Sequence, residues 1–296
     1  MRRGLGPLLL AASLGALAED ASAQTFTPNT LLVSPLTGRF LAESEVSWAR
    51  AEAFVADQGE RNSFPGTLDF GFAVLRVSYS PIQHFSAGLE LALRTFRFRP
   101  DGFDEPATGT GVQGLGVFAD WHPSGPDARV SFEARGEVFF GFDGHPNPLS
   151  ISDGVNRYLA AFQVFSGPDG GVLEGWRLDA QTRLEFEFGP NTEPEDHYAE
   201  WDLLVHAGPR ITRLGSAQLL VLAITGCRFA TNDRQEGNIF RVNPSKGVTV
   251  GGSVGLYWAS PMPGPGRAIE AAATREIGLR NSLDGWKGTM TFRHAF

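Results

Sequence analysis

From Arg129 to Phe142 the chain changes character at every second residue. Val130, Phe132, Ala134, Gly136, Val138, Phe140 and Phe142 fall on one side, and Arg129, Ser131, Glu133, Arg135 and Glu137 on the other. Successive side chains of a β-strand point to opposite faces, so this period predicts a strand with one hydrocarbon face and one ionic face. Val172 to Phe188 repeats it, with Trp176, Leu178, Ala180, Leu184, Phe186 and Phe188 opposing Arg177, Asp179, Gln181, Arg183, Glu185 and Glu187. A third segment starts at His84 and sets Phe85, Ala87, Leu89, Leu91 and Leu93 against Ser86, Gly88, Glu90, Ala92 and Arg94. Less regular alternation bounded by turn residues covers Val46 to Val55, Leu68 to Tyr79, Val112 to Trp121, Tyr158 to Phe165, Glu200 to Ile211, Gln218 to Phe229, Val248 to Trp258, Ala268 to Ile277 and Trp286 to Phe296. The fold class predicted is all-β, an antiparallel up-and-down barrel of about twelve strands, an even number that returns both termini to one side.

The connections support a barrel that spans a membrane, where short turns on one side alternate with longer loops on the other. Ser80-Pro81-Ile82, Pro123 to Asp127, Gly167 to Gly171, Arg213 to Ser216 and Ser260 to Gly266 read as the short turns. Ala56 to Gly66, Arg99 to Gly111, Gly144 to Arg157, Gly189 to Tyr198, Ala230 to Lys246 and Gly278 to Gly285 read as the long loops, and the two kinds alternate along the chain. A soluble antiparallel sheet also carries one wet face. In a closed single-layer barrel, however, a continuous outer apolar face opposite a charged one needs lipid outside, whereas a soluble barrel turns its apolar face inward.

The N-terminus adds an address. Arg2 and Arg3 precede an apolar run from Leu8 to Ala18 and then Ala21-Ser22-Ala23, the layout of a secretory signal peptide with a small-residue cleavage site. The expected organisation is a signal peptide at 1–23, a lead segment or lumen plug at 24–44, containing Pro28, Pro35 and Gly38, and the barrel at 45–296. Charged residues make up 20% of the chain, and after the signal no apolar run approaches the ~18–20 residues of a spanning helix. The single cysteine, Cys227, permits no intramolecular disulfide, and a net charge of -8 argues against nucleic acid as a partner.

The last strand places Trp286, Gly288, Met290, Phe292, His294 and Phe296 on one face and Lys287, Thr289, Thr291 and Arg293 on the other. A terminal Phe closing such a strand resembles the assembly signature of Gram-negative outer-membrane β-barrels. That resemblance implies residence in the bacterial outer membrane, contact with its lipid, and recognition of the C-terminal strand ending in Phe296 by the barrel assembly machinery. Tyr79-Ser80-Pro81, turning directly from one amphipathic strand into the next, resembles the short turns of transporter-like barrels of the meta-cleavage aromatic-degradation type. It implies passive uptake of a small compound, with no cofactor and no energy-coupling segment.

With the apolar face toward lipid, the ionic face becomes the lumen lining and the candidate functional surface. Its expected members are Arg50, Glu52, Asp69, Glu90, Arg94, Asp120, Arg129, Glu133, Arg135, Glu137, Arg177, Asp179, Arg183, Glu185, Glu187, Asp202, His206 and Arg210, with His122 beside Asp120. Mixed signs in a narrow lumen favour cross-strand ion pairs, while rings of charged side chains facing water set the selectivity of pores. The expected function is therefore a channel or small-molecule transporter working by passive diffusion, with Ala230 to Lys246, including Phe240 and Arg241, as a gate. Two other readings are a closed structural or loop-binding barrel and a lipid-directed hydrolase.

Enzyme chemistry finds little support along the chain. Apart from His122, which lies near a predicted turn, only His206 shares its face with a carboxylate, Asp202, and two strand repeats separate them. His197 with Glu193, Glu195 and Asp196 forms an acidic loop of the ordinary solvated kind, and no metal or catalytic residue is assigned. Gly109, Gly111 and Gly114 have dinucleotide-fingerprint spacing, but they lead into a strand where that motif requires a helix. They read instead as small residues inside a strand.

Overall fold

The computed structural model describes residues 35, 37–56, 58–101, 105–123, 130–142, 156–166, 176–188, 197–214, 217–233, 245–258, 267–280 and 282–296. The twelve strands are β1(Phe40–Val55), β2(Arg61–Ile82), β3(Phe85–Pro100), β4(Ala107–Trp121), β5(Val130–Gly141), β6(Asn156–Ser166), β7(Trp176–Phe188), β8(His197–Leu214), β9(Ala217–Asp233), β10(Ser245–Trp258), β11(Arg267–Arg280) and β12(Ser282–Ala295). Each pairs antiparallel with its sequence neighbours, and β12 returns to β1 to close the barrel. Closure removes both sheet edges, so no ladder of unpaired backbone groups is left to face lipid. The seam is finished by two reciprocal backbone bonds between Phe40 and Phe296, at 2.9 and 3.0 Å. Phe40 also stacks on Tyr79 and on Phe296 there.

Side-chain parity sorts the two faces as the alternation predicts. Val46, Trp48, Leu75, Val77, Leu89, Leu115, Val117, Phe140, Leu184, Met290 and Phe292 are exposed on the outside, while Glu90, Asp120, Glu133, Arg135, Asp179, Asp202 and Arg293 are buried inside. The interior is less uniformly ionic than expected. Phe70, Phe96, Phe98, Phe118 and Phe139 point inward on β2 to β5, and two aliphatic clusters, Leu204 with Ile224 and Ala272, and Leu41 with Leu222 and Ala268, lie on the opposite wall and at the seam. Inward glycines make room for the rings. A Cβ at Gly88 would collide with Phe118, one at Gly109 with Phe96, and one at Gly114 with Phe139. The small-residue reading of Gly109 and Gly114 thus has a packing reason.

The ends of the strands depart from expectation. β1 starts at Phe40 rather than Glu45, and β2 starts at Arg61, inside the expected loop Ala56 to Gly66. The expected loops Arg99 to Gly111 and Gly278 to Gly285 are likewise largely strand, with only Asn281 between β11 and β12. Spanning takes ~9–11 residues per strand, and β2 has 22. Beyond the apolar belt the ladder continues with polar residues that carry no hydropathy alternation. The sorting of connections by length is accordingly looser than the sequence suggests, although the longest, 142–155 and 234–244, still fall at the end remote from the termini. The signal segment 1–23, most of the lead segment 24–44 and the expected gate around Phe240 and Arg241 lie outside the described residues.

Tight turning at the end near the termini has a local cause. His84 adopts a left-handed backbone (φ 68) in the β2–β3 turn. The Ser80 hydroxyl lies 3.0 and 2.8 Å from the carbonyls of Ile82 and Phe85, the pair that closes the hairpin, and shares its one proton between them.

Candidate lumenal site

Cross-strand register brings the inward charges into three groups. In the first, Glu43 of β1 lies opposite both Arg76 of β2 and Arg293 of β12, and Arg76 lies opposite Glu90 of β3. Arg76 reaches Glu43 at 2.7 Å and Glu45 at 3.6 Å and is hydrogen-bonded to Glu90 through its Nε. Arg293 bonds Glu43 through its Nε and lies 3.8 Å from Glu270. Five strands, β11, β12 and β1 to β3, are tied together on the inner face by two guanidiniums.

The second group is on β6 to β9 and β11. Arg183 sits 3.0 Å from Glu185, 3.3 Å from Asp202 and 3.9 Å from Glu200. Arg157 adds a contact to Glu185 at 3.7 Å, and Arg228 reaches Glu276 at 3.0 Å and Glu200 at 3.7 Å. The third group is smaller and nearer the termini. Arg135 and Asp120 face each other across β4 and β5 with a fork of two hydrogen bonds, the outer at 3.1 Å. The Ser86 hydroxyl donates to the same carboxylate at 3.2 Å, and the guanidinium lies 4.2 Å from the centre of the Phe118 ring. Asp120 has no exposed surface at all.

Between the first and second groups the side chains leave a cavity of about 140 Å³ at mid-barrel. Its charged lining is four carboxylates, Glu45, Glu90, Glu137 and Glu185, and three cations, Arg157, Arg183 and Lys287, with Phe72, Val74, Phe139 and Leu159 among the apolar walls. Lys287 of β12 and Arg183 of β7 line this space from opposite walls of the barrel. The space is well below the ~300–1,000 Å³ of a pocket for a drug-sized ligand.

Of the expected lumen residues, the structure places Glu90, Arg94, Asp120, Glu133, Arg135, Glu137, Asp179, Arg183, Glu185, Asp202 and His206 on the inner face. Arg94 lies beside the Phe70 and Phe72 rings, 5.6 and 5.8 Å from their centres. Arg177 and Glu187 lie within β7 and Arg210 within β8, while Arg129 falls outside the described residues. Arg50, Glu52 and Asp69 are corrected: they face outward. Arg50 shares its face with Trp48 and Val46, its side chain is 50% exposed, and it forks onto Asp69 at 2.7 and 3.3 Å. Their polarity suggested the lumen, but they stand beyond the apolar belt, where outward residues are polar too.

Sequence reasoning placed Lys287 and Arg293 on the face opposite the apolar one, but missed Glu43, Glu45, Arg76, Arg157, Glu200, Arg228, Glu270 and Glu276 as lumen members. Counting in twos from the nearest outward aromatic would have found several, since Arg76 lies three residues before Tyr79 and Glu45 three before Trp48. His206 does gain a carboxylate neighbour that the sequence did not indicate, because Asp179 of β7 lies directly opposite it. Among the described residues no group of His, Cys, Asp and Glu suits a metal ion.

No family model and no curated protein matches the sequence. Solved structures do match the fold. A COG4313 outer-membrane channel from Pseudomonas putida F1 superposes with a TM-score of 0.66 at 11% identity, over 92% of this chain and 100% of that one. The β domain of the Bordetella autotransporter BrkA superposes with a TM-score of 0.52 at 13% identity, over 87% and 99%. By fold, this chain is a twelve-stranded β-barrel of the Gram-negative outer-membrane kind.

Proposed function

We propose that the protein is an outer-membrane channel passing small ions and compact polar solutes by diffusion, with a preference for cations. The observation that carries this reading is the mid-barrel cavity, where four carboxylates outnumber three cations in a space walled by the barrel's own side chains. A solute there exchanges part of its hydration for fixed charges of both signs, the arrangement by which charged rings select ions. Ion pairing among the wall residues holds the side chains against the strands. Removing one cation should leave its carboxylate partners facing the path. The fold shared with an outer-membrane channel is consistent with this reading. Export with loss of residues 1–23, insertion through the assembly machinery acting on the strand that ends at Phe296, and surrounding outer-membrane lipid belong to the same proposal.

The test is single-channel recording of the refolded chain lacking residues 1–23 in a planar bilayer, beside Glu137→Gln and Arg183→Ala. Small, stable steps with a cation-favouring reversal potential are expected, weakened by the first substitution and strengthened by the second. Insertion without conductance would overturn the channel in favour of a closed barrel acting through its loops, and turnover of phospholipid or glycolipid would restore the hydrolase reading.

A further inference from the structure

The outer wall carries a basic strip that the channel reading does not use. One register row crosses five strands on the outside, from Arg275 of β11 to Trp286 of β12, Arg50 of β1, Asp69 of β2 and Arg97 of β3. It lies at the end remote from the termini. Directly below it the outer face turns apolar, with Trp48, Val46 and Met290 exposed. Arg99, two residues along β3 from Arg97, is on the same face, and both are exposed. Neither makes an ion pair or side-chain hydrogen bond among the described residues, whereas Arg50 is forked onto Asp69, and Arg275 is bonded to Asp284 at 2.8 Å. Two exposed guanidiniums about 7 Å apart along a strand thus stand beside a paired set, on a chain whose net charge is -8.

We infer that this strip binds the phosphate groups of a phosphorylated amphiphile in the leaflet around the barrel. Arginine offers planar, two-pronged donation matched to phosphate oxygens. An acyl chain beneath such a headgroup would lie along Trp48, Val46 and Met290, which a free phosphate could not use. The same face presents the Thr95 and Thr110 hydroxyls, bonded to each other at 2.8 Å, as further polar contacts at headgroup height. The inference rests on the membrane placement of the barrel but not on conduction.

The experiment uses the refolded full barrel in detergent micelles, titrated with a bis-phosphorylated glycolipid, with the same glycolipid enzymatically dephosphorylated, and with inorganic pyrophosphate. Bound lipid is read by native mass spectrometry. The double variant R97Q/R99Q is expected to weaken binding of the phosphorylated lipid at least tenfold. Arg267→Gln, an exposed outward arginine at the opposite end, should leave it unchanged. Equal retention of the phosphorylated and dephosphorylated lipids, or no loss in the double variant, would overturn the inference. Pyrophosphate binding as strongly as the glycolipid would overturn the lipid as the source. A barrel that binds the lipid but never conducts fails only the channel proposal, and one that conducts but is indifferent to phosphate fails only this one.

Discussion

The same two strands carry two sets of ion pairs that differ in almost every physical respect. On the inner face of β1 and β2, Arg76 is held by Glu43, Glu45 and Glu90 with little exposure to solvent. On the outer face, a few residues further along, Arg50 and Asp69 form an equally short bond with the arginine half exposed. Bond length does not distinguish them; solvent does. An exposed pair is screened and loses side-chain entropy to hold its geometry. A buried set has already lost its hydration, so removing one member strands the others in a poor dielectric. The inner pairs therefore hold the wall in shape, and the outer pairs leave their arginines available to other anions.

Arg76→Ala should give the largest effect, because three carboxylates then share the inner wall without their common partner. Destabilisation of about 3–5 kcal/mol is expected, read as a lowered denaturant midpoint of the refolded barrel. A midpoint unchanged within error would show that water reaches the group and would erase the distinction between the two faces. Next comes Arg183→Ala, whose loss leaves Glu185, Glu200 and Asp202 with a reduced counter-charge. In a salt gradient the reversal potential should move toward the cation limit, and movement the other way would mean that these carboxylates take up protons instead.

A smaller, pH-linked effect is expected at the turn end of the barrel. Burial, reinforced by the neighbouring His84 and opposed by the Asp120 carboxylate, holds the His122 imidazole below its ordinary value. The unfolded chain then takes up the proton first as pH falls. Stability should be fully present above about pH 6.5, the ordinary histidine value, and decline below it. His122→Gln should flatten that decline, and a slope identical to the parent's would assign the acid sensitivity to other groups. The smallest effect is expected of Asp69→Asn on the outer face: a midpoint shift close to the scatter and abolished by added salt. A shift matching that of Arg76→Ala would show the outer pair to be desolvated, by lipid or by a neighbouring loop.

Arg50 and Arg135 show how far each face was legible. Arg135 stands in an unbroken alternation with Val138 and Phe140 a few residues on, so hydropathy reports its face directly. Arg50 stands where the outward row has already become polar, and hydropathy there reports height along the barrel rather than side. The parity running from Val46 through Trp48 was the better guide. The strand start at Arg61 was obscured for the same reason, since a ladder beyond the apolar belt is held by backbone bonds to which any residue except proline contributes an N–H. Arg76 was overlooked because a lone charge between Leu75 and Val77 reads as an interruption of an apolar run. It is in fact the inward member of a strand whose outward members are apolar.

Alternation along each strand is a local property, decided by the opposed directions of successive side chains, and so the chain by itself determined the strand count, the closed antiparallel class and most of the outward apolar surface. Which charges meet is not local. Register brought Glu43 between Arg76 of the next strand and Arg293 of the last, and Asp179 opposite His206. Curvature then brought Lys287 and Arg183, from opposite walls, to line one cavity. Those relations depend on the stagger at which twelve strands close, and only the tertiary structure decided them, because no single strand carries information about the offset of its neighbour.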